Sequence, residues 1–196
     1  MTEAAGKKRI LLHSCCGPCS SAVIERLAPD HSITVLYYDP NITDEDEYRK
    51  RLEEERRFLA SYEERTGVHV DLIEGRYDPS EFFEVAKGLE NEPEKGRRCL
   101  ECFRLRLGET ARLAKELGFE SFDSTLSVSS YKDYGQISAA GNEMAERYGV
   151  EYEAGNYKKK DGYHRSIELS EEYGLYRQDY CGCIFSKRDR DRRRGL

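Results

Sequence analysis

Long hydrophobic runs are absent from this 196-residue sequence, and their absence excludes one class of protein at once. No segment approaches the ~18 consecutive apolar residues that a membrane-spanning helix requires. The opening residues, MTEAAGKKRILL, also lack the apolar core of a signal peptide, because their short apolar stretch leads directly into a cysteine cluster. We therefore expect a cytoplasmic protein with no membrane contact.

The chain also lacks an excess of positive charge. Its 32 lysine and arginine residues are outnumbered by 38 aspartate and glutamate residues, which gives a net charge of −6. This balance excludes a protein that coats nucleic acid indiscriminately, although a local basic surface is compatible with it. Internal repeats and low-complexity linkers are missing too, so we expect residues 1–196 to form a single domain.

Apolar segments rich in β-branched residues alternate with amphipathic segments over residues 9–157. The predicted strands lie at 9–15, 33–41, 68–75, 119–128 and 150–157. The predicted helices lie at 20–30, with Ser20 or Ser21 as its N-cap, and at 44–67, 79–91, 99–118 and 134–149. This order predicts an α/β fold, a Rossmann-like parallel sheet of about five strands covered on both faces. Residues 158–196 have no strand pattern and predict a C-terminal helical cap that ends in a basic tail.

Seven cysteines fall into three tight groups along the chain. The groups are Cys15, Cys16 and Cys19; Cys99 and Cys102; and Cys181 and Cys183. A reducing compartment disfavours structural disulfides, and seven unrelated core thiols would not cluster in this way. Metal or redox chemistry is therefore the favoured interpretation. Because the sites of open α/β sheets lie beyond the carboxyl ends of the strands, the group after the first predicted strand marks the site.

The segment Cys16-Gly-Pro-Cys19 matches the thioredoxin redox motif, but its context differs. It follows the first predicted strand without a preceding β–α unit, and Cys15 adds a third thiol. The downstream cysteines have no place in a thioredoxin. A thiol–disulfide oxidoreductase that uses Cys16 and Cys19 is thus the less favoured alternative.

Two metal interpretations remain open. Two C-x-x-C pairs, 16–19 and 99–102, are typical of a zinc site in a nucleotide- or RNA-binding module without redox activity. That interpretation leaves three cysteines unexplained. An iron–sulfur cluster also takes four thiolates, from loops that need not be adjacent in sequence, and surplus thiols beside it suit redox work. The spacing favours iron–sulfur without excluding zinc.

Four motifs occur in a fixed order: LLHSCCGPCSS, RRCLECFRLRL, FDSTLSVSSYKD and YCGCIFS. Together they resemble the cobalamin-independent epoxyqueuosine reductases, the QueH family, over residues 9–186. Gly17, where the family usually has alanine, and the lack of a proline near Ser130 are minor departures. The resemblance implies an iron–sulfur enzyme that removes the epoxide oxygen from epoxyqueuosine at the wobble position of tRNA, the final step of queuosine biosynthesis.

The resemblance also implies a fold similar to the nucleotide α-hydrolase-like (HUP) Rossmann proteins. In the ATP-using proteins of that fold, a Ser/Gly-rich phosphate loop follows the first strand. Cysteines stand in that place here, and neither G-x-x-x-x-G-K-[ST] nor S-G-G-x-D-S occurs in the chain. We therefore do not expect the protein to use ATP.

The resemblance, together with the cysteine grouping, assigns roles to the thiols. We expect a [4Fe–4S] cluster on Cys15, Cys16, Cys99 and Cys102. Cys19 is a possible substitute for Cys15 or Cys16. Cys181 and Cys183 are expected to form a second redox or metal element, either a strained disulfide or a site for an additional iron ion. The electron donor is unidentified.

Several polar residues near the predicted site are candidates for proton transfer and substrate binding. His13 precedes the first cysteine group and Asp133 follows the fourth predicted strand, so both are candidate catalytic residues. The candidates for binding the substrate lie at or after the ends of strands two and four: Asp39, Tyr131 and Lys132. Asp123, in the fourth strand segment, is also expected to face the site.

Basic clusters are the candidates for contacts with tRNA phosphates. These are Lys158 and Lys159 in NYKKK, Arg188 in the basic tail 187–194, and Lys95, Arg97 and Arg98 in KGRRC. Tyrosines near the predicted site loops are candidates for stacking on an anticodon base: Tyr37, Tyr38, Tyr157, Tyr163 and Tyr180.

Overall fold

The computed structural model describes residues 6–195, and these residues contain five strands that form one sheet. The strands are β1 Lys8–Ser14, β2 His31–Tyr37, β3 Asp71–Glu74, β4 Ser121–Ser124 and β5 Glu151–Tyr152. All neighbouring strands pair in parallel, in the order β3-β2-β1-β4-β5. The predicted Rossmann-like α/β fold class is confirmed. Residues 1–5, from the segment examined for a signal peptide, and residue 196 at the end of the chain lie outside the described residues.

Helices cover both faces of the sheet. They are α1 Gly17–Leu27, α2 Glu45–Thr66, α3 Pro79–Ala86, α4 Arg97–Glu116, a 3-10 turn Thr125–Val128, α5 Tyr134–Tyr148, α6 Gly162–Glu172 and α7 Ile184–Arg194. The buried side chains of β1 alternate between the faces, as a strand requires. Leu11 belongs to the apolar layer formed with α4 and α5. Ile10 and Leu12 belong to the opposite layer, formed with α1 and α2.

The strand order changes direction at β1. Strands β2 and β3 lie on one side of β1, and the chain then crosses back so that β4 and β5 lie on the other side. His13 in β1 therefore pairs with Leu36 on one side and with Ser124 on the other. Such a switch point opens a crevice at the carboxyl ends of the strands, where ligands bind in α/β proteins. The loops after β1, β2 and β4 meet at this crevice.

Helix α1 begins earlier than the sequence predicts. Its N-cap is Cys16, so the predicted N-caps Ser20 and Ser21 are wrong. Pro18 lies in the first turn, where its missing N–H costs nothing and its fixed φ suits a helix. The two serines lie inside the helix, and their hydroxyls donate to the backbone oxygens of Cys16 (3.1 Å) and Pro18 (3.0 Å). The first cysteine group therefore lies at the positive end of α1.

Four strands are shorter than predicted, and the first of these is β2, which ends at Tyr37 although the prediction extends to residue 41. The segment 119–128 is a strand only as far as Ser124, whose hydroxyl accepts a hydrogen bond from the Leu126 N–H (3.1 Å) and turns the chain into the 3-10 turn. Strand β3 begins at Asp71, and β5 consists of Glu151–Tyr152 alone. Both are edge strands that pair on one side only, so fewer backbone hydrogen bonds extend them.

The described residues after 157 form the helices α6 and α7, as predicted for the C-terminal part. Helix α6 packs against α1, and Phe185 in α7 packs against Phe82 in α3 with ring centroids 6.1 Å apart. The boundary of a separate cap at residue 158 stays a prediction. In residues 6–195, no helix combines the length and the apolar character needed to cross a bilayer.

Candidate functional site

A cavity of about 550 Å³ lies at the carboxyl edge of the sheet and brings the three cysteine groups together. Six cysteines line it: Cys15, Cys19, Cys99, Cys102, Cys181 and Cys183. The seventh, Cys16, is only 1% exposed and does not contribute to the lining. Three segments that are far apart in the sequence therefore supply thiols to one site.

Three helices direct their N-terminal ends toward this cavity. Cys16 is the N-cap of α1, Cys99 lies in the first turn of α4, and Cys183 is the N-cap of α7. The Cys183 sulfur accepts a hydrogen bond from the Ser186 N–H at 3.3 Å. A helix N-terminus carries partial positive charge, which favours anions in the cavity. Burial acts in the opposite direction on the thiols, because it raises the pKa of Cys99 and raises that of Cys183 to about 11.

The first cysteine group is compact enough to hold a metal. The sulfur atoms of Cys15, Cys16 and Cys19 all lie within 4.8 Å of one another. In the part of the chain that the structure describes, no other three potential ligands of this kind lie so close together. Cys99 and Cys102 share the cavity with the group but are not members of it. The predicted ligand set of Cys15, Cys16, Cys99 and Cys102 stays a prediction.

Electrostatics favour a single thiolate within this group. Hydrogen bonds with Cys16 and Cys19 hold the pKa of Cys15 well below its usual value, and the positive charges of Lys132 and Arg106 act in the same direction. The hydrogen bond with Cys15 conversely raises the pKa of Cys19 to about 12. A metal bound to the whole group would therefore displace protons from the remaining thiols.

Residues 129–133 form one wall of the cavity and contain three predicted site residues. Burial alone would lower the pKa of Lys132, but the negative charge of the neighbouring cysteine sulfurs outweighs burial and raises it. Tyr131 is 64% exposed at the mouth. Asp133 is the N-cap of α5 and accepts a hydrogen bond from a backbone N–H of its first turn at 2.8 Å. All three line the cavity, and their roles in catalysis or substrate binding stay predictions.

His13 and Asp39 are fully buried behind the cavity wall rather than in its lining. The His13 Nδ1 atom is 3.0 Å from the Ser124 hydroxyl, and Nε2 is 3.2 Å from the Tyr38 carbonyl oxygen. The same Nε2 is 3.2 Å from Nε of Arg106, which also forms an ion pair with Asp39. Both residues therefore contact the buried side chain of Arg106 and hold it in place. A catalytic role for His13 and a substrate contact for Asp39 stay predictions.

Asp123 is also buried and connects the end of β4 to the loop that follows β5. Its carboxylate accepts hydrogen bonds from the Gly155 N–H (2.9 Å) and from the Tyr157 hydroxyl (2.7 Å). Burial nevertheless raises the pKa of Asp123 to about 7. It does not line the cavity, so its evident role is to hold the two loops together.

Arg51 in α2 fixes the C-terminal cysteine loop. Its guanidinium is buried and donates to the backbone oxygens of Cys181 (3.1 Å) and Tyr180 (3.3 Å), while Nε pairs with Glu47 (2.7 Å). Gly182 has a φ of +117°, and a Cβ there would lie 2.8 Å from a side-chain carbon of Ile42. The C-G-C segment therefore requires glycine at its centre.

Sequence reasoning missed both Arg51 and Arg106, because charged residues are expected in solvent. The sequence pattern nevertheless indicates that both arginines are buried, because each lies on the apolar face of its helix, next to a buried leucine at 52 or 107. Glu55 follows Arg51 on the same stripe and accepts a hydrogen bond from the Ser14 hydroxyl at 3.1 Å. Burial raises the pKa of Glu55 to about 8.

Two side-chain amides approach the sulfur atoms. Nε2 of Gln178 lies 2.8 Å from the sulfur of Cys16, and Nδ2 of Asn41 lies 4.0 Å from that of Cys181. Both amides line the cavity. Hydrogen bonds to cysteine sulfur stabilise the thiolate and are one of the factors that set the potential of iron–sulfur centres.

The predicted phosphate-binding residues Lys158, Lys159 and Arg188 do not belong to the cavity lining. The ammonium group of Lys158 donates to the backbone oxygen of Lys132 (3.1 Å) and so supports the 129–133 wall. Lys159 is exposed, and Arg188 lies over the ring of Phe185 at 5.6 Å. Their contacts with tRNA stay predictions.

Other cations do line the cavity. They are Arg51, Lys95, Arg98, Lys132, Arg177, Arg190, Arg193 and Arg194. Of the five tyrosines considered for base stacking, Tyr163 and Tyr180 are part of the lining. The other three are buried in the fold: Tyr37, Tyr38 and Tyr157. The basic tail is thus a helix that contributes to the cavity wall.

Comparisons with known proteins identify the family to which this chain belongs. Residues 10–189 match the family model described as "Epoxyqueuosine reductase QueH". The chain is 41% identical to the protein of that name from Streptococcus pyogenes serotype M1, over 90% of this chain and 69% of the relative. It is 42% identical to that from Acinetobacter baylyi (94% and 83%) and 32% identical to that from Thermotoga maritima (92% and 91%). This chain therefore belongs to the QueH family of epoxyqueuosine reductases.

Proposed function

We propose that this protein reduces the epoxide of epoxyqueuosine at the wobble position of tRNA to the alkene of queuosine, and that the reaction takes place in the cysteine-lined cavity. The observation that carries the proposal is the convergence of six cysteines from three distant segments on one cavity. Membership of the family makes the protein an oxidoreductase. Releasing the epoxide oxygen as water consumes two electrons and two protons, so a site rich in thiols suits the reaction.

A [4Fe–4S] cluster is the cofactor that we propose. Its ligands would be Cys15, Cys16, Cys99 and Cys102. Cys19 is the alternative to Cys15 or Cys16, because it belongs to the same compact group and lines the cavity. When bound, the cluster supplies electrons to the substrate one at a time.

The chemistry of the cavity fits such a cluster. Iron–sulfur clusters take four thiolates from segments that need not be adjacent. Four thiolates bring negative charge, which the N-terminal ends of α1, α4 and α7 and the cations Arg106 and Lys132 offset. Cys181 and Cys183 line the same cavity as a second pair, suited to an additional iron ion or to a reducible disulfide.

The chain's own side chains position the substrate. Lys132 carries a charged ammonium group into the cavity, where it can donate a hydrogen bond to an oxygen of the substrate. Phe82, Phe103 and Val128 provide apolar lining that limits the access of water. Tyr131 offers an exposed aromatic face at the mouth, on which an unpaired base can stack.

The partner that we propose is tRNA carrying epoxyqueuosine, and its phosphates account for the cationic lining. A tRNA substrate makes the cytoplasm the proposed compartment. The electrons come from a donor that is unidentified.

The test begins with protein purified without oxygen. We expect a brown protein that reduces epoxyqueuosine in tRNA when a chemical reductant is supplied. It should contain iron and acid-labile sulfide, in equal amounts if Cys181 and Cys183 form a disulfide and with iron in excess if they hold an additional iron ion. Cys99→Ser and Cys102→Ser should each lose the cluster, because a hydroxyl is a poor ligand for iron. Circular dichroism of each variant controls for folding.

Other outcomes would support the alternatives. A colourless protein with one tightly bound zinc ion would favour a zinc-stabilised RNA-binding module. A metal-free protein that reduces insulin disulfides would favour a thiol oxidoreductase. Full iron and sulfide content in Cys99→Ser or Cys102→Ser would show that the proposed ligand set is wrong.

A further inference from the structure

One carboxylate holds two arginines at the wall of the cavity. Oδ1 of Asp179 lies 2.8 Å from a guanidinium nitrogen of Arg190, and Oδ2 lies 2.7 Å from one of Arg194. All three residues line the cavity that contains the cysteines. Each oxygen of the carboxylate thus has its own arginine partner.

An external anion can replace the Asp179 carboxylate in these contacts. The side chains of Asp179 and Arg194 are 38% and 55% exposed, so water already competes for the ion pairs. Exposed ion pairs of this type contribute little to stability. Exchanging the carboxylate for another anion would therefore disturb the fold only slightly.

An RNA phosphodiester has the chemistry of the group that Asp179 supplies. It presents two non-bridging oxygens that share one negative charge, as a carboxylate does. Arginine binds both groups through paired N–H donors, and its planar guanidinium suits phosphate particularly well. Two arginines spaced to hold the two oxygens of one carboxylate are also spaced to hold two phosphate oxygens.

The surroundings of the pair favour an anionic polymer over a small neutral ligand. The cavity lining contains eight lysine and arginine side chains against three acidic ones, although the whole chain has a net charge of −6. Of the three acids, Asp133 is a helix N-cap and Glu94 lies 3.7 Å from Arg193. Asp179 is the remaining one, and it neutralises two of the cations.

We propose that Arg190 and Arg194 bind a backbone phosphate of the RNA that presents its nucleoside to the cavity, and that Asp179 occupies this phosphate site in the free protein. The inference rests on the proposed function in one respect, namely that the ligand is tRNA. Binding then exchanges an internal anion for an external one, and the arginines are already positioned when the RNA arrives.

The experiment measures binding of an unmodified anticodon stem–loop RNA, so that its outcome does not depend on the reduction. Asp179→Asn should tighten binding by about two- to tenfold, because the RNA no longer competes with the carboxylate. The double variant Arg190→Gln/Arg194→Gln should weaken binding and flatten the dependence of log K on log salt by about 0.7 to 0.9, the loss of one phosphate contact.

The matched control is Asp191→Asn. Asp191 also accepts hydrogen bonds from Arg190 (2.9 and 2.7 Å) and carries the same charge, but among the described residues it forms no ion pair with Arg194 and does not line the cavity. A general effect of net charge would tighten binding equally in Asp179→Asn and Asp191→Asn, and this result would overturn the proposal.

A double-mutant cycle supplies the second control. In the background that lacks both arginines, Asp179→Asn should no longer change the dissociation constant, because its effect acts through them. Persistent tightening in that background, or weaker binding by Asp179→Asn alone, would refute the phosphate site. A wild-type protein that binds the RNA but cannot reduce epoxyqueuosine would instead refute the proposed function and leave this inference standing.

Discussion

Replacing Arg51 by methionine tests whether the C-terminal cysteine loop depends on one buried cation. Methionine retains much of the apolar volume but removes every hydrogen bond that the guanidinium donates. The lost contacts are those to the backbone oxygens of Cys181 (3.1 Å) and Tyr180 (3.3 Å) and the ion pair with Glu47 (2.7 Å). The arginine side chain is 1% exposed, so water does not replace the missing donors.

The expected loss of stability follows from these contacts. Leaving a buried hydrogen-bonding group without its partner costs about 1–3 kcal/mol, and breaking a buried ion pair costs about 3–5 kcal/mol. The contributions overlap, because one side chain makes all three contacts, so we expect the free energy of unfolding to fall by about 3–5 kcal/mol. The matched control is Arg49→Met in the same helix. Arg49 is 73% exposed and, within the part of the chain that the structure describes, pairs only with Glu45, so its loss should cost no more than about 0.5 kcal/mol.

Two measurements check the prediction. Urea unfolding of the metal-free protein in reducing buffer gives the change in stability. Alkylation of the thiols, followed by mass spectrometry of the peptides, gives the rate at which Cys181 and Cys183 react. Both cysteines should react faster in Arg51→Met than in wild type or Arg49→Met, because the loop is released. A loss below about 1 kcal/mol together with unchanged thiol reactivity would refute the reasoning.

Three further predictions concern the loops around the cavity. Gly182→Ala should destabilise the protein by about 1–3 kcal/mol, because a residue with a side chain is strained at a φ of +117° and the new Cβ would clash with Ile42. A urea unfolding midpoint equal to that of wild type would contradict this. The pKa of Asp123 is about 7 in the folded protein, against an ordinary value of 3.8. At a pH between these two values, the folded state therefore binds a proton that the unfolded state has lost. The contribution of Asp123 to the free energy of unfolding should therefore fall by about 1.4 kcal/mol per pH unit as the pH rises from about 4 to 7. Urea unfolding measured at a series of pH values should show a smaller dependence on pH for Asp123→Asn. Cys181→Ser/Cys183→Ser should retain most of the iron but lose turnover, whereas loss of all iron would make these cysteines primary cluster ligands.

Local patterns in the sequence predict much of the fold. The alternation of apolar strands and amphipathic helices is enough to predict a parallel sheet, and the order of the strands then puts the cysteines of the first group at its carboxyl edge. The N-cap of α1 is predicted wrongly because Pro18 starts the helix before the serines that are better caps. Edge strands are predicted too long because their length depends on the neighbouring strand, which is distant in sequence.

The interior of the site is less accessible to prediction. His13 and Asp39 lie near the carboxyl ends of strands, and this position correctly predicts that they are close to the crevice. It does not reveal that both side chains lie behind the cavity wall and not in the cavity. The buried cations Arg51 and Arg106 are paired by groups from other segments, and only the folded chain shows those partners. The motif resemblance, in contrast, identifies the family because it depends on the order of residues and not on their contacts.

The Arg51 contact has a consequence for the timing of assembly. It joins residues 130 positions apart, so the first cysteine group is synthesised well before the segment that contains Cys181 and Cys183. Because synthesis is directional and takes seconds, the thiols of the first group exist for a time without the wall that later encloses them. During that interval they are open to oxidants and to whatever metal ion is most available. A group that binds thiols from all three cysteine groups can therefore be enclosed only after the segment that contains Cys181 and Cys183 has been synthesised.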